Sequence, residues 1–247
     1  ACEVACKQWN QLPVDALGFT GYSYDNTRDL GAATWRHVTF IETPLLSDTA
    51  STGQMPPFQS HWLMMSDVCK HCANAPCLQA CPTGAIVRTE FDTVFIQQDV
   101  CNGCGYCVPA CPFGVPELST LDHRSHKCTL CYDRLQASLE PACAKACPTD
   151  SIQFGPVTEL AERARRRVEQ LRGLSVTNAH VYGDGATGGT GGIEGLNASF
   201  ILTAQPEAYN LPAHPELPQD KTLSAFMTTI GTAVVFGLAA ALGLRGR

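Results

Sequence analysis

The sequence predicts an α+β fold of two small cysteine-rich modules, followed by one C-terminal transmembrane helix. Three observations predict it. Twelve of the 14 cysteines fall between Cys69 and Cys147, in repeated groups of four. A short β-hairpin pattern separates two of these groups. Near the C-terminus, the segment 223–244 contains no charged residue.

The composition excludes some classes of protein. The 247 residues suffice for one large or two small domains. Hydrophobic residues make up 45% and charged residues 16% of the chain, which argues against disorder throughout. The net charge is −6, and no stripe of basic and aromatic residues occurs, so nucleic acid is a poor candidate partner.

One group of four cysteines has the spacing C-x2-C-x2-C-x3-C and is followed by proline. This spacing is typical of bacterial ferredoxins that bind [4Fe–4S] clusters. Three thiolates on a tight loop can bind three irons of one cube, while the fourth points toward another cube. Gly103 and Gly105 let the loop backbone approach the sulfides and donate N–H groups. The group consists of Cys101, Cys104, Cys107 and Cys111.

Two further groups of four cysteines, each also followed by proline, repeat this pattern with wider spacing. We call each group a quartet and number the quartets along the chain, keeping the number one for an incomplete quartet at the N-terminus that is described below. The second quartet is Cys69, Cys72, Cys77 and Cys81. The third is the quartet described above. The fourth quartet is Cys128, Cys131, Cys143 and Cys147. Such repetition within one chain favours iron–sulfur clusters.

Other cysteine chemistries fit this pattern less well. A disulfide framework suits a small secreted chain, and its cysteines need not form quartets ending in Cys-Pro. Structural zinc uses paired C-x2-C knuckles, and such a site would give Cys107 and Cys111 no metal to bind. A thioredoxin-like C-x2-C motif would need a βαβ frame, and none is predicted here.

An incomplete first quartet stands at the N-terminus. Cys2 and Cys6 have the spacing of the third and fourth ligands of such a quartet, so its first two cysteines would precede Ala1. Because residue 1 is not methionine, we expect a processed or truncated chain. The intact protein is then expected to have 16 cysteines and four clusters.

The remaining pattern predicts short elements around the quartets. Alternation and β-forming residues predict a strand at 35–42, followed by a proline-containing loop at 43–60. Two apolar triplets flanking a polar turn predict a hairpin within 86–96. A small two-cluster module needs little more, because the cubes replace much of the hydrophobic core.

A helix is predicted at 157–172, where apolar residues recur every three or four positions. Its basic residues indicate either a solvated face or a surface that docks on a partner. The glycine-rich segment 183–195 lacks the Gly-Lys-Ser/Thr of a phosphate-binding loop and is predicted to be a surface loop. Four prolines in 206–218 predict an extended connector.

The uncharged segment 223–244 would form a helix about 33 Å long, enough to cross a bilayer core. Ala233, Gly237 and Ala241 would form a small-residue ridge for packing against another membrane helix. A buried C-terminal helix is the alternative. Arg245 and Arg247 weakly favour a cytoplasmic C-terminus, which would anchor the cysteine-rich part on the periplasmic, outer side of the membrane.

The quartets, the leading ACEVACKQWN, the blocks KCTLCYDRL and EPACAKACPT, and the predicted terminal helix together resemble the iron–sulfur (beta) subunit of membrane-bound formate dehydrogenase. The resemblance covers nearly the whole chain. The quartets alone are shared with subunits serving nitrate, dimethyl sulfoxide, polysulfide and tetrathionate reductases, and with a hydrogenase partner subunit.

The resemblance implies an electron-transfer subunit without a substrate pocket of its own. It would conduct electrons from a molybdenum- or tungsten-pterin catalytic (alpha) subunit to a haem-bearing membrane (gamma) subunit. The same role in another molybdopterin oxidoreductase or in a hydrogenase is the alternative. A structural or regulatory cluster protein is a third possibility, although one cluster would suffice for that.

The resemblance also implies how the quartets interlock, the first with the fourth and the second with the third. Its ligand sets are Cys69, Cys72, Cys77 and Cys111; Cys81, Cys101, Cys104 and Cys107; Cys6, Cys128, Cys131 and Cys143; and Cys2 and Cys147 with two ligands upstream of Ala1. The corresponding modules are 1–59 with 121–158, and 60–120. An extension and connector at 159–220 and the predicted membrane helix at 221–247 follow.

Overall fold

The computed structural model describes residues 1–15, 18–21, 24, 26–44, 60–184 and 193–245. Four of the helices among these residues are short, of four or five residues, and carry or follow a cysteine. The helices are α1 (Cys2–Trp9), α2 (Pro76–Gln79), α3 (Cys107–Ala110), α4 (Tyr132–Gln136), α5 (Ala142–Lys145), α6 (Val157–Gly173), a 3-10 helix (Pro206–Tyr209) and α7 (Pro218–Arg245).

The strands of the described residues form small antiparallel pairs. They are β1 (Arg36–Pro44) with β2 (Ser60–Val68), β3 (Ile86–Arg88) with β4 (Val94–Ile96), β5 (Glu117–Leu118) with β6 (Ser125–His126), and β7 (His180–Tyr182) with β8 (Phe200–Leu202). A two-stranded sheet is marginally stable by itself. These hairpins therefore depend on what they pack against.

Two predicted β elements are confirmed, with one addition. The strand predicted at 35–42 is β1, which pairs along its whole length with β2, from Arg36 opposite Val68 to Pro44 opposite Ser60. Sequence analysis did not predict β2, which leads directly into the second quartet. The rest of the predicted loop, residues 45–59, lies outside the described residues.

The hairpin predicted between the second and third quartets is also confirmed. Ile86 pairs with Ile96, and Asp92 takes the left-handed conformation, with a φ of 57°. The smaller hairpin of β5 and β6 follows the third quartet. Thus each of these quartets is followed by an antiparallel hairpin.

The main apolar core joins the cysteine-rich part to the extension that follows it. Ile86, Val94 and Ile96 from the first of these hairpins share a buried cluster with Leu202 and Leu217. The expected extended connector at 206–218 is instead packed: it begins with a 3-10 helix, and the hydroxyl of the buried Tyr209 lies 3.1 Å from Thr203 Oγ1.

Of the glycine-rich segment 183–195, which was predicted to be a surface loop, residues 185–192 lie outside the described residues.

The helix predicted at 157–172 is confirmed as α6. Val168 is buried with Ala179 and Val181, and Ala164 and Leu171 pack beside them. The arginines of this helix extend along its outer side, where Arg166 is 65% exposed and pairs with Glu162 at 3.7 Å. This arrangement matches a solvated basic face.

The predicted transmembrane helix is wrong, although the tail is helical. Within the described residues, no helix combines the length and the hydropathy that crossing a bilayer requires. The membrane-anchored localisation with a periplasmic cluster domain therefore lacks its basis, and the fold is a mixture of helices and small sheets. The physical reason lies in α7 itself, whose described residues include Thr222, Thr228, Thr229, Thr232, Gly231 and Gly237.

Threonine and glycine contribute less to the hydropathy of a helix than leucine, isoleucine or valine. The Thr232 hydroxyl, for example, donates to the Thr228 carbonyl at 2.5 Å. Of the predicted small-residue ridge, the side chain of Ala241 lies outside the described residues.

Leu202→Ala is expected to lower the free energy of unfolding by about 2–5 kcal/mol, because it opens a cavity in the main core. Leu202 is 1% exposed, whereas its neighbour Ile201 is 38% exposed and provides a matched control. Ile201→Ala is expected to cost about 0.5 kcal/mol. Thermal unfolding of the cluster-loaded protein measures both, and equal losses would contradict the assignment of Leu202 to the core.

Candidate metal-cluster sites

One cavity of about 290 Å³, which includes space open to solvent, lies beside the third quartet; we call it the Cys104 cavity. Cysteines from two quartets line it: Cys81, Cys101, Cys104 and Cys107. Cys104 is exposed, and Cys81 and Cys101 are half-buried, so this cavity reaches the surface. Ser125, which is 1% exposed, places its hydroxyl 3.2 Å from Cys107 Sγ.

The loop around Cys104 depends on a glycine for a steric reason. Gly103 has a φ of +73°, and a Cβ on it would lie 2.0 Å from the backbone oxygen of His123. The His123 carbonyl belongs to the turn between β5 and β6, so this hairpin packs directly on the cysteine loop. The sequence-based expectation for Gly103 concerned access to sulfides, whereas the structure adds close packing against another backbone.

A second cavity of about 310 Å³, again including open space, lies deeper; we call it the Lys127 cavity. It too combines two quartets, and its cysteines are Cys69, Cys72, Cys77 and Cys111. The walls also contain Lys70, His71 and Lys127, which are 1%, 1% and 2% exposed. His71 Nδ1 accepts the Val94 N–H at 3.0 Å, which ties this wall to β4.

A third group of cysteines forms where α1 packs on α5. It consists of Cys6, Cys128, Cys131 and Cys143, and we call it the Cys6 group. All four are buried. The Asn10 amide lies 3.6 Å from Cys6 Sγ and 4.0 Å from Cys131 Sγ, so it bridges the two chain segments.

The N-terminal helix is fixed to the fourth quartet by one aromatic side chain. Trp9 Nε1 donates to Asp133 at 2.8 Å, and the Arg134 guanidinium lies 4.3 Å from the Trp9 ring centroid. Both partners belong to α4, which follows Cys131 directly. This contact positions α1, and with it Cys2 and Cys6.

The structure does not join the last two cysteines by a described contact. Cys2 Sγ lies 3.4 Å from Ser66 Oγ, and Cys147 Sγ lies 3.2 Å from Ser151 Oγ. Both are half-buried. Cys2 lies on α1, and Cys147 lies two residues after α5, the helix on which α1 packs.

The three sets of cysteines follow one another in a row. Cys77 of the Lys127 cavity shares a buried cluster with Cys107 of the Cys104 cavity. On the other side, Cys69 of the Lys127 cavity shares a buried cluster with Cys128 of the Cys6 group. The Lys127 cavity therefore lies in the middle.

Burial and mutual repulsion dominate the electrostatics of these thiols. Burial, together with nearby Cys143 and Cys131, raises the pKa of Cys6 to about 12. Burial likewise raises the pKa of Cys77 to about 12. Burial also raises the pKa of Cys69, but the charges of His71 and Lys127 and hydrogen bonds from His71 outweigh it and lower the pKa to about 5.

The donor set fits [4Fe–4S] clusters. Each of the four irons of a cube binds a separate thiolate, so the four cysteines must surround a space instead of converging on one point. The two cavities have this arrangement. Among the described residues, no three histidine, cysteine or acidic side chains converge on a position for a single ion.

Comparison with known proteins agrees with this chemistry. Residues 60–157 match the family model of a 4Fe-4S dicluster domain. The chain is 39% identical over 227 residues to the nitrate-inducible formate dehydrogenase iron–sulfur subunit of Escherichia coli K12, covering 90% of this chain and 71% of the relative. The chain belongs to the family of formate dehydrogenase iron–sulfur subunits. Its cofactors are [4Fe–4S] clusters, and its role is electron transfer.

Two further relatives show the breadth of the similarity. The formate dehydrogenase iron–sulfur subunit of Haemophilus influenzae is 37% identical, over 90% of this chain and 67% of the relative. The thiosulfate reductase electron transfer subunit of Salmonella typhi is 38% identical, over 64% of this chain and 70% of the relative. The second match is shorter, so formate dehydrogenase subunits are the better match along the chain.

Sequence analysis of this iron–sulfur subunit missed several side chains around the cysteines. Lys70 follows Cys69, and Lys127 precedes Cys128, so their adjacency to ligand candidates was a visible signal. Their burial was not visible, because lysine is normally exposed. The contacts of Asn10 with Cys131 and of Ser125 with Cys107 depend on long-range packing and had no signal in the sequence, whereas Asn10 lies only four residues after Cys6.

Gly103→Ala is expected to lower the iron content of this iron–sulfur subunit, because the added Cβ would force the cysteine loop away from the β5–β6 hairpin. Gly84 is a matched control: its φ is +69°, yet a Cβ there would meet nothing within 4 Å. Gly84→Ala should cost only the strain of about 1–2 kcal/mol and keep its iron. Iron per protein measures both, and equal iron in the two variants would contradict the steric requirement.

Proposed function

We propose that this chain conducts electrons from a molybdenum- or tungsten-pterin formate dehydrogenase catalytic subunit, along a row of [4Fe–4S] clusters, to a haem-bearing membrane subunit that reduces quinone. The observation that carries the proposal is the row formed by the Cys104 cavity, the Lys127 cavity and the Cys6 group. Neighbouring sites suit stepwise electron transfer, and a purely structural role would not need such a row.

The proposed ligands of three clusters are the four cysteines of each set. This assignment crosses the quartets, because Cys111 joins the second quartet and Cys81 joins the third. Its support is that each cavity is lined by three cysteines of one quartet and one of the other. Cys2 and Cys147 are proposed to contribute to a fourth cluster, with two further ligands upstream of Ala1.

The same crossing defines the proposed modules. Residues 60–120 hold the second and third quartets, and 1–59 with 121–158 hold the first and fourth. The hairpin of β5 and β6 connects the two modules, since its strands lie on either side of residue 120. The extension at 159–220 packs on the core of the module of residues 60–120 through Leu202 and Tyr209.

Each bound cluster supplies reversible one-electron reduction, and the chain's own residues hold and adjust it. When Cys107 is ligated as a thiolate it can only accept a hydrogen bond, so the Ser125 hydroxyl donates to it. The Asn10 amide donates to Cys6 and Cys131 in the same way. Such bonds favour the more negative, reduced state.

The alternative is the same conducting role beside another molybdopterin catalytic subunit. The 38% identity to a thiosulfate reductase electron transfer subunit favours this second candidate. Purification of the native complex distinguishes the two, because the co-purifying catalytic subunit would oxidise formate in one case and reduce thiosulfate in the other.

The crossed ligand assignment predicts which cysteine variants resemble each other. Cys111→Ser and Cys69→Ser should remove or alter the same cluster signal in electron paramagnetic resonance spectra of the reduced protein, because both alter the Lys127 cavity. Cys81→Ser and Cys101→Ser should alter a different signal. If Cys111→Ser instead matched Cys101→Ser, each quartet would hold its own cluster and the crossing would be wrong.

Cys104→Ser is expected to block electron flow through the complex and to leave formate oxidation with an artificial dye largely intact. The reason is that chemistry takes place in the catalytic subunit, while this chain conducts. Both rates can be measured on one preparation. Val100→Ala, a 40% exposed neighbour that does not line the cavity, is the control and should change neither rate.

Loss of dye-linked activity in an assembled Cys104→Ser complex that keeps its pterin would contradict this division of labour. The chain would then take part in catalysis itself.

A further inference from the structure

We propose that Lys127, assisted by Lys70, stabilises the reduced cluster of the Lys127 cavity, so that this site accepts an electron before the site in the Cys104 cavity. The inference rests on the proposed function, because it assigns a role to residues beside one proposed cluster. In this proposal the two lysines act through the charge of their ammonium groups, and neither lysine is a ligand of the cluster.

The first observation is that Lys127 is a buried cation without a carboxylate partner among the described ion pairs. It is 2% exposed, and its ammonium donates to the backbone oxygens of Val94 and Cys128, the latter at 3.1 Å. Two carbonyl dipoles satisfy hydrogen bonds, but they do not neutralise a charge. Burying an uncompensated ammonium is costly, so an anion is expected nearby.

The Lys127 cavity provides that anion once its cysteines are ligands. Four thiolates carry more negative charge than a [4Fe–4S] core carries positive charge, so the whole unit is an anion. Adding one electron makes it more negative. Because this cavity is buried, the attraction of Lys127 is weakly screened and grows when the electron arrives. The net charge around a cluster is one of the factors that set its potential.

Lys70 adds a second, smaller contribution. It is 1% exposed and lines the same cavity, but its ammonium is paired with the Asp67 carboxylate and also donates to the Val68 oxygen at 2.9 Å. The rings of Phe113 and Phe200 lie 5.3 and 5.2 Å from this ammonium. Asp67 offsets part of its charge, so Lys127 is expected to have the larger effect.

The Cys104 cavity has a different environment. Apart from its cysteines, the described residues that line it are neutral, and its polar side chains are those of Thr83, Asn102 and Ser125. Cys104 is exposed, so water screens charges there more strongly. The transfer is a single electron moving from one reduced cluster to its oxidised neighbour, and no bond forms or breaks. The charge difference between the cavities favours the Lys127 cavity as the acceptor.

The test is a potentiometric titration of the purified complex with a one-electron reductant, followed by electron paramagnetic resonance. The signal of the Lys127 cavity is identified as the one that Cys111→Ser alters. Lys127→Met should lower its potential by at least about 59 mV, which is a tenfold change in the ratio of reduced to oxidised cluster. Lys70→Met should lower it by less, and Lys127→Arg should largely preserve it.

Lys145→Met is the matched control, because the Lys145 side chain is 72% exposed and does not line the Lys127 cavity, and it should leave the potential of that cavity unchanged. A fully iron-loaded Lys127→Met protein with an unchanged potential would overturn the inference. So would a wild-type titration in which the Cys104 cavity is reduced first.

If Lys127→Met fails to bind its cluster, Asp67→Asn tests the same idea with both lysines kept. Removing the Asp67 charge should raise the potential of the Lys127 cavity, and an unchanged or lowered potential would overturn the inference. If instead no cluster of the wild-type complex reduced reversibly, the conducting role itself would fail. The two failures are therefore distinguishable.

Discussion

The structure depends on bringing cysteines from distant parts of the chain around shared spaces. Cys81 of the second quartet lines the cavity of the third, and Cys111 of the third quartet lines the cavity of the second. Cys6, on the N-terminal helix, lies with cysteines of the fourth quartet. Each crossing ties two loops together at one point. The sheets of the described residues are pairs of strands, so these shared cavities bring together loops that no larger sheet holds in that part of the chain.

The same constraint explains the polar groups that lie beside the cysteines. A row of anionic centres inside a protein needs compensating charge and hydrogen-bond donors, since water is excluded. Lys70, Lys127 and Arg36 supply buried positive charge, and Ser125 and Asn10 supply donors to sulfur. In an ordinary core these groups would be destabilising, whereas beside thiolates they have partners.

The extension after the fourth quartet has a covering role in this arrangement. Leu202, Tyr209 and Leu217 close the apolar side of the second-quartet module, and Tyr182 donates its hydroxyl to the Pro212 oxygen at 2.7 Å. The segment is therefore part of the folded body. Its four prolines predicted a connector, because proline favours extended backbone. Apolar residues between these prolines, such as Tyr209 and Leu217, nevertheless pack into the core.

The cofactor class, the family and the local elements around the quartets could all be predicted from the sequence, because ligand spacing and the period of apolar residues are local properties. Sequence analysis identified the hairpin of β3 and β4 and the helix α6, but its transmembrane interpretation of the tail was wrong, since no helix of the described residues has the length and hydropathy to cross a bilayer. The family resemblance implied which cysteines belong together, and the tertiary structure placed two of these groups around cavities and established the order in which the sites follow. The tertiary structure alone showed that Lys127 is buried without a carboxylate partner among the described ion pairs. Those properties arise between residues far apart in the chain, so no local pattern records them.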